Sequence, residues 1–275
     1  TVEDYAAYEP KLYEDGIRTT YRGYDIVCMP DAYGGVTVIE TLNILEGFDL
    51  AGMGHNTPDA VHTIIEALRL AWADRFYHMG DPEFEDVPIA GLISKEYAAV
   101  RRRLVGPEVP ASIAPGNPWD FQAEKPPRDL APAGPHHNSQ DTTHISAMDG
   151  RGNTIALVHS AGGSFGAMVV SQSTGILQRN YTNLFNPEPG TRNSIGPWKR
   201  PLSHDSLTLV FKDGKPFMTI GAPGGRRVIT SVVQAIVNVI DFGLNMQDAV
   251  AAPRVHAEGS DPKFPEGLVD PNVIA

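Results

Sequence analysis

The run Gly134-Pro135-His136-His137-Asn138-Ser139-Gln140-Asp141-Thr142-Thr143-His144-Ile145-Ser146 is where the chain changes character. Ahead of it, eight prolines lie between Pro107 and Pro135, and residues 106–141 carry neither a helical nor a strand period. Such a segment reads as an extended or mobile linker, accessible to cleavage. Beyond it the texture is β. Residues 143–148 and 154–160 flank Asp149-Gly150-Arg151-Gly152-Asn153, a strong hairpin signal.

Further along, Asp213-Gly214 predicts a second hairpin between residues 207–211 and 216–220. Residues 228–242 follow with Val228, Val232, Val233, Ile236, Val239 and Ile240 on a helical period, and Gly243 supplies the stop. Towards the N-terminus, residues 22–29 alternate as one strand closed by Pro30, and residues 36–45, after Gly34-Gly35, read as a buried helix. Thr57 and Pro58 then suit the cap and first turn of a helix whose face holds Val61, Ile64, Ile65, Leu68 and Trp72. Hairpins combined with buried helices imply a layered α+β fold built on antiparallel sheet. No internal repeat is visible.

The 275 residues can bury a sizeable core, and 41% apolar with 20% charged residues is an ordinary globular composition. No apolar run approaches the ~20 residues that span a bilayer. A net charge of −11 opposes nucleic acid or anionic lipid as a partner. Arg101-Arg102-Arg103, the one basic cluster, reads as a solvated helix end. The single cysteine, Cys28, excludes an intrachain disulfide and reads as a small buried hydrophobe. Both ends, Thr1 in helix-like sequence and a tail with Pro262, Pro265 and Pro271, read as cut from a longer protein.

The chemistry concentrates at the junction. A threonine hydroxyl is a poor nucleophile unless a base adjoins it, and a free α-amino group on the same residue, with a pKa of about 7.7–8.0, is such a base. Freeing the amine of Thr142 requires cutting the Asp141–Thr142 bond, and a linker running into a rigid strand is a suitable place to cut. The outcome is nucleophilic acyl transfer through an ester on Thr142. A Thr-Thr pair alone would fit any strand. Gly221-Ala222-Pro223-Gly224-Gly225-Arg226, between a strand and a helix start, fits an oxyanion hole or a plain tight turn, and lacks the Gly-Lys-Ser/Thr ending of a phosphate loop. Ser203-His204-Asp205 holds the residue types of a triad, but adjacent residues cannot converge on one proton path. His136, His137, His144, His159 and His204 show no zinc-ligand spacing, so neither metal nor cofactor is expected.

In collinear order, Tyr21-Arg22-Gly23-Tyr24, Leu42-Asn43-Ile44-Leu45-Glu46-Gly47-Phe48-Asp49, Ala73-Asp74-Arg75, Gly80-Asp81-Pro82, Thr142-Thr143-His144, Gly175-Ile176-Leu177, Lys199-Arg200-Pro201-Leu202-Ser203, Pro223-Gly224-Gly225 and Ala252-Pro253-Arg254 resemble the γ-glutamyltranspeptidase (glutathione hydrolase) family of N-terminal-nucleophile (Ntn) hydrolases. The resemblance implies an αββα four-layer sandwich, incomplete in this chain. It also implies a precursor that cuts itself before Thr142, with residues 1–141 as the end of a large subunit and 142–275 as most of a small one, held together after the cut. Thr142 matches the nucleophile, Ser160 a threonine whose hydroxyl supports it, and Gly224 and Gly225 the oxyanion-hole glycines.

The substrate positions depart from the family. Gly162, Tyr181 and Leu184 stand where Asn, Gln and Asp hold a donor's α-amino group, and Ser203-His204 replaces a Ser-Ser pair at the α-carboxylate. A short link from Pro189-Gly190 to Gly196-Pro197 implies that the lid loop of some members is absent. Tyr181 is then expected to be the one polar side chain left for an ammonium. His204 favours donors with a carboxylate and no amine, such as glutaryl amides, over the default γ-glutamyl substrate. The expected partner is a small-molecule amide, with water or an amine as acceptor. A glutaryl- or cephalosporin-acylase-like member, or an uncleaved binding homologue, is the alternative. The resemblance tilts localisation to the periplasm or exterior, while the composition fits the cytoplasm equally.

Overall fold

The computed structural model describes residues 2–124, 132–134 and 141–258. Its elements before the junction are helix α1 (Val2–Ala7), strands β1 (Ile17–Tyr21) and β2 (Tyr24–Cys28), and helices α2 (Gly35–Leu45), α3 (Leu50–Met53), α4 (Pro58–His78), α5 (Ile89–Leu92) and α6 (Lys95–Arg102). After it come β3 (Asp141–Met148), β4 (Thr154–Gly162), β5 (Thr208–Lys212), β6 (Lys215–Ile220), α7 (Arg227–Ile240) and α8 (Met246–Ala251).

One antiparallel sheet runs β1-β2-β5-β6, and β3 and β4 form a separate two-stranded ribbon. The sheet is therefore shared: β2, from before the junction, pairs with β5, from after it, in the register Asp25↔Phe211 to Cys28↔Thr208. Every residue of α2 is buried, because α2 lies against β1 and β2 and is flanked by α4, α6 and α7. α7 presents Val228, Val232, Val233 and Ile236 to the same core. The ribbon meets β6 through Ser146 Oγ on Thr219 O (3.2 Å) and Thr219 Oγ1 on Ile155 O (3.1 Å). On its other face Ile145 pairs with Leu157, and Ile155 with Ala147, all exposed to solvent. The fold is α+β, as expected; of the four expected layers, a helical layer over the ribbon is not found among the described residues.

Three expectations need correction. Residues 22–29 are not one strand, because Arg22 (φ 52°) and Gly23 (φ 77°) turn the chain between β1 and β2. Two successive left-handed residues make the tight hairpin turn whose twist suits its flanking strands. Arg22 is held there by Asp241 Oδ1 (2.9 Å) and by Glu46 O at the end of α2 (2.7 Å). The arginine cluster is not solvated either. Arg101 is 3% exposed, with Nε on Asp74 Oδ2 at 2.9 Å, and Arg102 donates to Asn43 O and Ile44 O at the C-terminal turn of α2. Arg102 is half-buried, and Arg103 alone of the three is fully exposed.

The third correction concerns residues 106–141. The part from 106 to 124 is a strap fastened to α4 and α6: His62 Nε2 meets Gly106 O, Arg69 donates to Pro110 O, Arg101 to Ala114 O, and Gly116 N to Asp74 Oδ1. Gly134 N donates to Phe76 O (2.9 Å). Residues 125–131 and 135–140, like the tail after 258, lie outside the described residues.

Cys28 behaves as the buried hydrophobe expected, its thiol pushed up to about 12 by burial. Glu40, buried on α2 beside Asp74, is raised well above the carboxylate range by desolvation and by that neighbouring carboxylate. Asp74 itself binds Arg101, the Tyr97 hydroxyl and Gly116 N. Removing it would leave Arg101 buried and unpaired. In the full-length protein, Asp74→Ala should lower the unfolding free energy by about 3–5 kcal/mol, read from urea denaturation, while exposed Asp15→Ala should change it by less than ~0.5 kcal/mol. Equal effects would refute this account of Asp74.

Candidate active site

The ribbon's ladder is irregular at one place. Asp141 pairs with Gly162, and the next regular pair is Thr143 with His159. Two residues of β4, Ser160 and Ala161, therefore oppose the single residue Thr142. This is a β-bulge, a device that re-aims side chains. Here it brings two hydroxyls together beside the Asp141–Thr142 bond. Thr142 Oγ1 donates to Ser160 Oγ (3.1 Å), and Ser160 Oγ donates to Asp141 O (2.7 Å), the carbonyl of that bond. Gly162 N also donates to Ser160 Oγ (3.1 Å). A serine hydroxyl has one proton and two lone pairs, so Ser160 is fully used. Ser164 Oγ holds the Asp141 carboxylate at 2.6 Å.

Facing this pair is a small cavity of about 10 Å³, room for a single water-sized group. It is lined by Thr142, Tyr181, Leu184, Ser203, His204, Asp205, Gly225 and Val228. Of the residues singled out in the sequence, six meet here: Thr142, Tyr181, Leu184, Ser203, His204 and Gly225. Ser160 joins them through its bond to Thr142. Gly162 and Gly224 are not part of the lining. Gly162 (φ 94°) ends β4, and a Cβ there would sit 2.0 Å from Asn180 Oδ1. That close approach lets Asn180 N reach Ala161 O (3.0 Å) and delivers the turn carrying Tyr181 and Leu184.

Gly224 (φ 130°) and Gly225 (φ 59°) form two successive left-handed residues ahead of α7. Among the described residues neither N–H is taken by another group, whereas Gly225 O accepts from Val228 N (3.0 Å). The arrangement leaves amide donors at a helix start for an anionic oxygen.

The far wall continues the β2–β5 pairing in irregular form. Met29 N donates to Leu207 O, Gly34 N to Asp205 O, and Ser203 N to Ala32 O. Buried Arg75 clamps the two strands by donating to Tyr33 O and Ser203 O, and Asn193 ties Leu184 O to Leu202 N. Ser203 Oγ donates to Asp205 Oδ2 (2.8 Å), so it is engaged. The His204 ring is buried with its centroid 6.1 Å from that of Trp72, which keeps Ser203-His204-Asp205 from acting as a triad.

Sequence reasoning missed Asp205 as a cavity residue, and with it Arg179, whose guanidinium lies 3.5 Å from the Tyr181 ring centroid. Tyr181 is therefore not the lone polar side chain. Burial pushes the Asp205 carboxyl up, with Ser203, Arg179 and Tyr181 partly opposing. Burial, followed by the charge of Asp205, raises Tyr181. In the sequence Asp205 stands out only in the Ser203-His204-Asp205 run set aside as a triad, and its place in the cavity follows from its position among β2–β5 neighbours. The described residues hold no group of three or more potential metal ligands; His136 and His137 lie outside them. A larger cleft of about 400 Å³ under the strap is lined by Leu70, Arg101, Leu104, Pro110, Ser112 and Ile113 among others, and its one hydroxyl, Ser112, has no histidine or carboxylate beside it in that lining.

The family model for gamma-glutamyltranspeptidase matches residues 1–267. The chain belongs to the gamma-glutamyltranspeptidase family. It is 39% identical to a glutathione hydrolase proenzyme of Escherichia coli over 93% of this chain and 44% of that protein. It is 38% identical to an acylase ACY 1 proenzyme of a Pseudomonas species over 99% of this chain and 45% of that protein. Among solved structures it superposes on a cephalosporin acylase from Bacillus halodurans with a TM-score of 0.76 and 30% identity, over 96% of this chain and 45% of that one. The chain thus spans less than half the length of the curated relatives it matches. Within this gamma-glutamyltranspeptidase family both hydrolase and acylase names occur.

The close approach at the end of β4 carries a prediction of its own. Gly162→Ala should strain the left-handed turn and press on Asn180, destabilising the full-length protein by about 1–2 kcal/mol or more. A thermal melt unchanged from the wild type would show that Asn180 and Tyr181 do not depend on that approach.

Proposed function

We propose that this chain is the junction-spanning part of an Ntn amidohydrolase or acyltransferase that cuts itself between Asp141 and Thr142 and then transfers an acyl group from an amide to water or an amine. The observation that carries this is the hydroxyl chain Thr142 Oγ1 to Ser160 Oγ to Asp141 O. Along it, Thr142 Oγ attacks the Asp141 carbonyl carbon while its proton passes to Ser160 and the Ser160 proton passes to the carbonyl oxygen. Collapse re-forms the carbonyl and breaks the C–N bond as the hydroxyl proton moves to the leaving nitrogen, which gives an ester on Thr142 Oγ and a free α-amine. Water hydrolyses the ester and releases Asp141 as a carboxylate.

In the mature enzyme the freed amine of Thr142 serves as the base, its ordinary pKa of about 7.7–8.0 lying close to neutral pH. Thr142 Oγ attacks the substrate amide, the Gly224 and Gly225 amides receive the oxyanion, and Ser160 orients the nucleophile. Residues 1–141 and 142–275 belong to a large and a small subunit, which the shared β2–β5 pairing holds together. The default donor is a γ-glutamyl compound such as glutathione. The acylase relatives support a second reading, a non-glutamyl acyl amide as donor.

Edman sequencing of the smaller piece from full-length protein should read Thr-Thr-His-Ile-Ser; any other start removes Thr142 from its role. Thr142→Ala should abolish both cleavage and turnover, and Thr142→Ser should keep part of each, followed by intact mass and amide hydrolysis. Thr142→Ala protein that still splits would mean that another protease makes the cut. Ser160→Ala should slow self-cleavage on the order of a hundredfold or more. A single band on a denaturing gel of wild-type protein would instead favour an uncleaved binding homologue.

A further inference from the structure

Asp205 is the one carboxylate in the cavity that Thr142 lines. Its position is rigidly set. Its backbone carbonyl accepts from Gly34 N (2.9 Å), its own N–H donates to Ser203 Oγ (3.3 Å), and Ser203 Oγ donates back to Oδ2 (2.8 Å). None of the ion pairs among the described residues involves it. Arg179 acts on it from a distance while stacking on Tyr181. A carboxylate partly removed from water without a direct cationic partner is costly to hold, and a ligand cation would offset that cost. The cavity's volume of about 10 Å³ admits one water-sized group, and an ammonium head has that size.

We propose that Asp205 receives the ammonium group of the acyl donor, replacing in function the Asn, Gln and Asp for which Gly162, Tyr181 and Leu184 stand. This rests on the acyl-transfer reading of Thr142. The donors are then amides whose acyl chain carries an amine within reach of the reacting carbonyl, γ-glutamyl compounds among them. Glutaryl amides, which the sequence favours through His204, carry the same carboxylate without the ammonium, so they bring nothing to offset the charge of Asp205, and the His204 ring that would have received their carboxylate lies buried against Trp72. Tyr181 and Ser203, which hydrogen-bond or face Asp205, act as positioning residues for its carboxylate.

The test uses mature full-length enzyme and two donors that differ only in the α-amine, γ-glutamyl-p-nitroanilide and glutaryl-p-nitroanilide. Wild type should favour the γ-glutamyl donor in kcat/KM, and Asp205→Asn, which keeps the shape and loses the charge, should lower that preference on the order of a hundredfold. A fall by the same factor on both donors would mark Asp205 as structural, and a wild-type preference for the glutaryl donor would overturn the proposal outright. Calorimetric titration with L-glutamate and with glutarate reads the same discrimination without turnover. Tighter binding of glutamate by wild-type protein that hydrolyses neither donor would leave the ammonium site standing and sink the acyl-transfer reading instead. Equal binding of the two ligands by wild type would dispose of the ammonium site even if Asp205→Asn failed to mature.

Discussion

The pairing of β2 with β5 is the constraint on which everything else hangs. It joins segments separated by the whole of the junction, and it does so at the centre of a four-stranded sheet rather than at an edge. Beyond Cys28 and Thr208 the two strands stop being regular but stay bonded, through Met29, Gly34 and Ala32 on one side and Leu207, Asp205 and Ser203 on the other. The same ladder that buries α2 against the sheet thereby sets the back wall of the cavity. Arg75 reinforces this from α4, with its guanidinium buried and bonded to one carbonyl of each strand. Burial draws that guanidinium down to about 10, which still leaves it a cation at neutral pH.

The opposite wall is made by a defect. A regular ribbon would alternate Thr142 and Ser160 without aligning them on the preceding carbonyl; the extra residue in β4 does so. The site is thus built from one element that is over-determined and another that departs from ladder geometry. Such departures concentrate where chemistry is done, because a side chain has to leave its pleated direction to meet a reacting atom.

How far the sequence can be read follows the same division. The hairpins turning at Asp149–Asn153 and Asp213-Gly214, the buried helix α2, the capped helix α4 and the α7 period were all legible, since each depends on local pattern and turn chemistry. Thr142 and Gly225 were legible as members of one site because motifs carried them. Four things were not. The β1–β2 turn is signalled only by Arg22-Gly23, and Arg22 is an unusual residue at positive φ, held there by Asp241 and Glu46 from remote parts of the chain. The burial of Arg101 depends on Asp74, 27 residues back on another helix. Asp205 enters the cavity through a long-range ladder, which the adjacent Ser203-His204-Asp205 run does not reveal. Residues 106–124 looked like free linker because their fastening comes from side chains of α4 and α6, which composition alone does not reveal.

The shared sheet has one more consequence. Two segments that each supply strands to a single core cannot part without unfolding, so the architecture of an intact native molecule is indifferent to whether the bond at 141–142 is closed. A denatured molecule is not. With the bond closed, recovery of the sheet is a first-order search by one chain; with it open, two chains must first find each other, and recovery becomes second order and dependent on concentration. A break at this bond would leave the native architecture in place while removing the easy way back to it, so that persistence would come to depend on the height of the unfolding barrier rather than on the depth of the equilibrium.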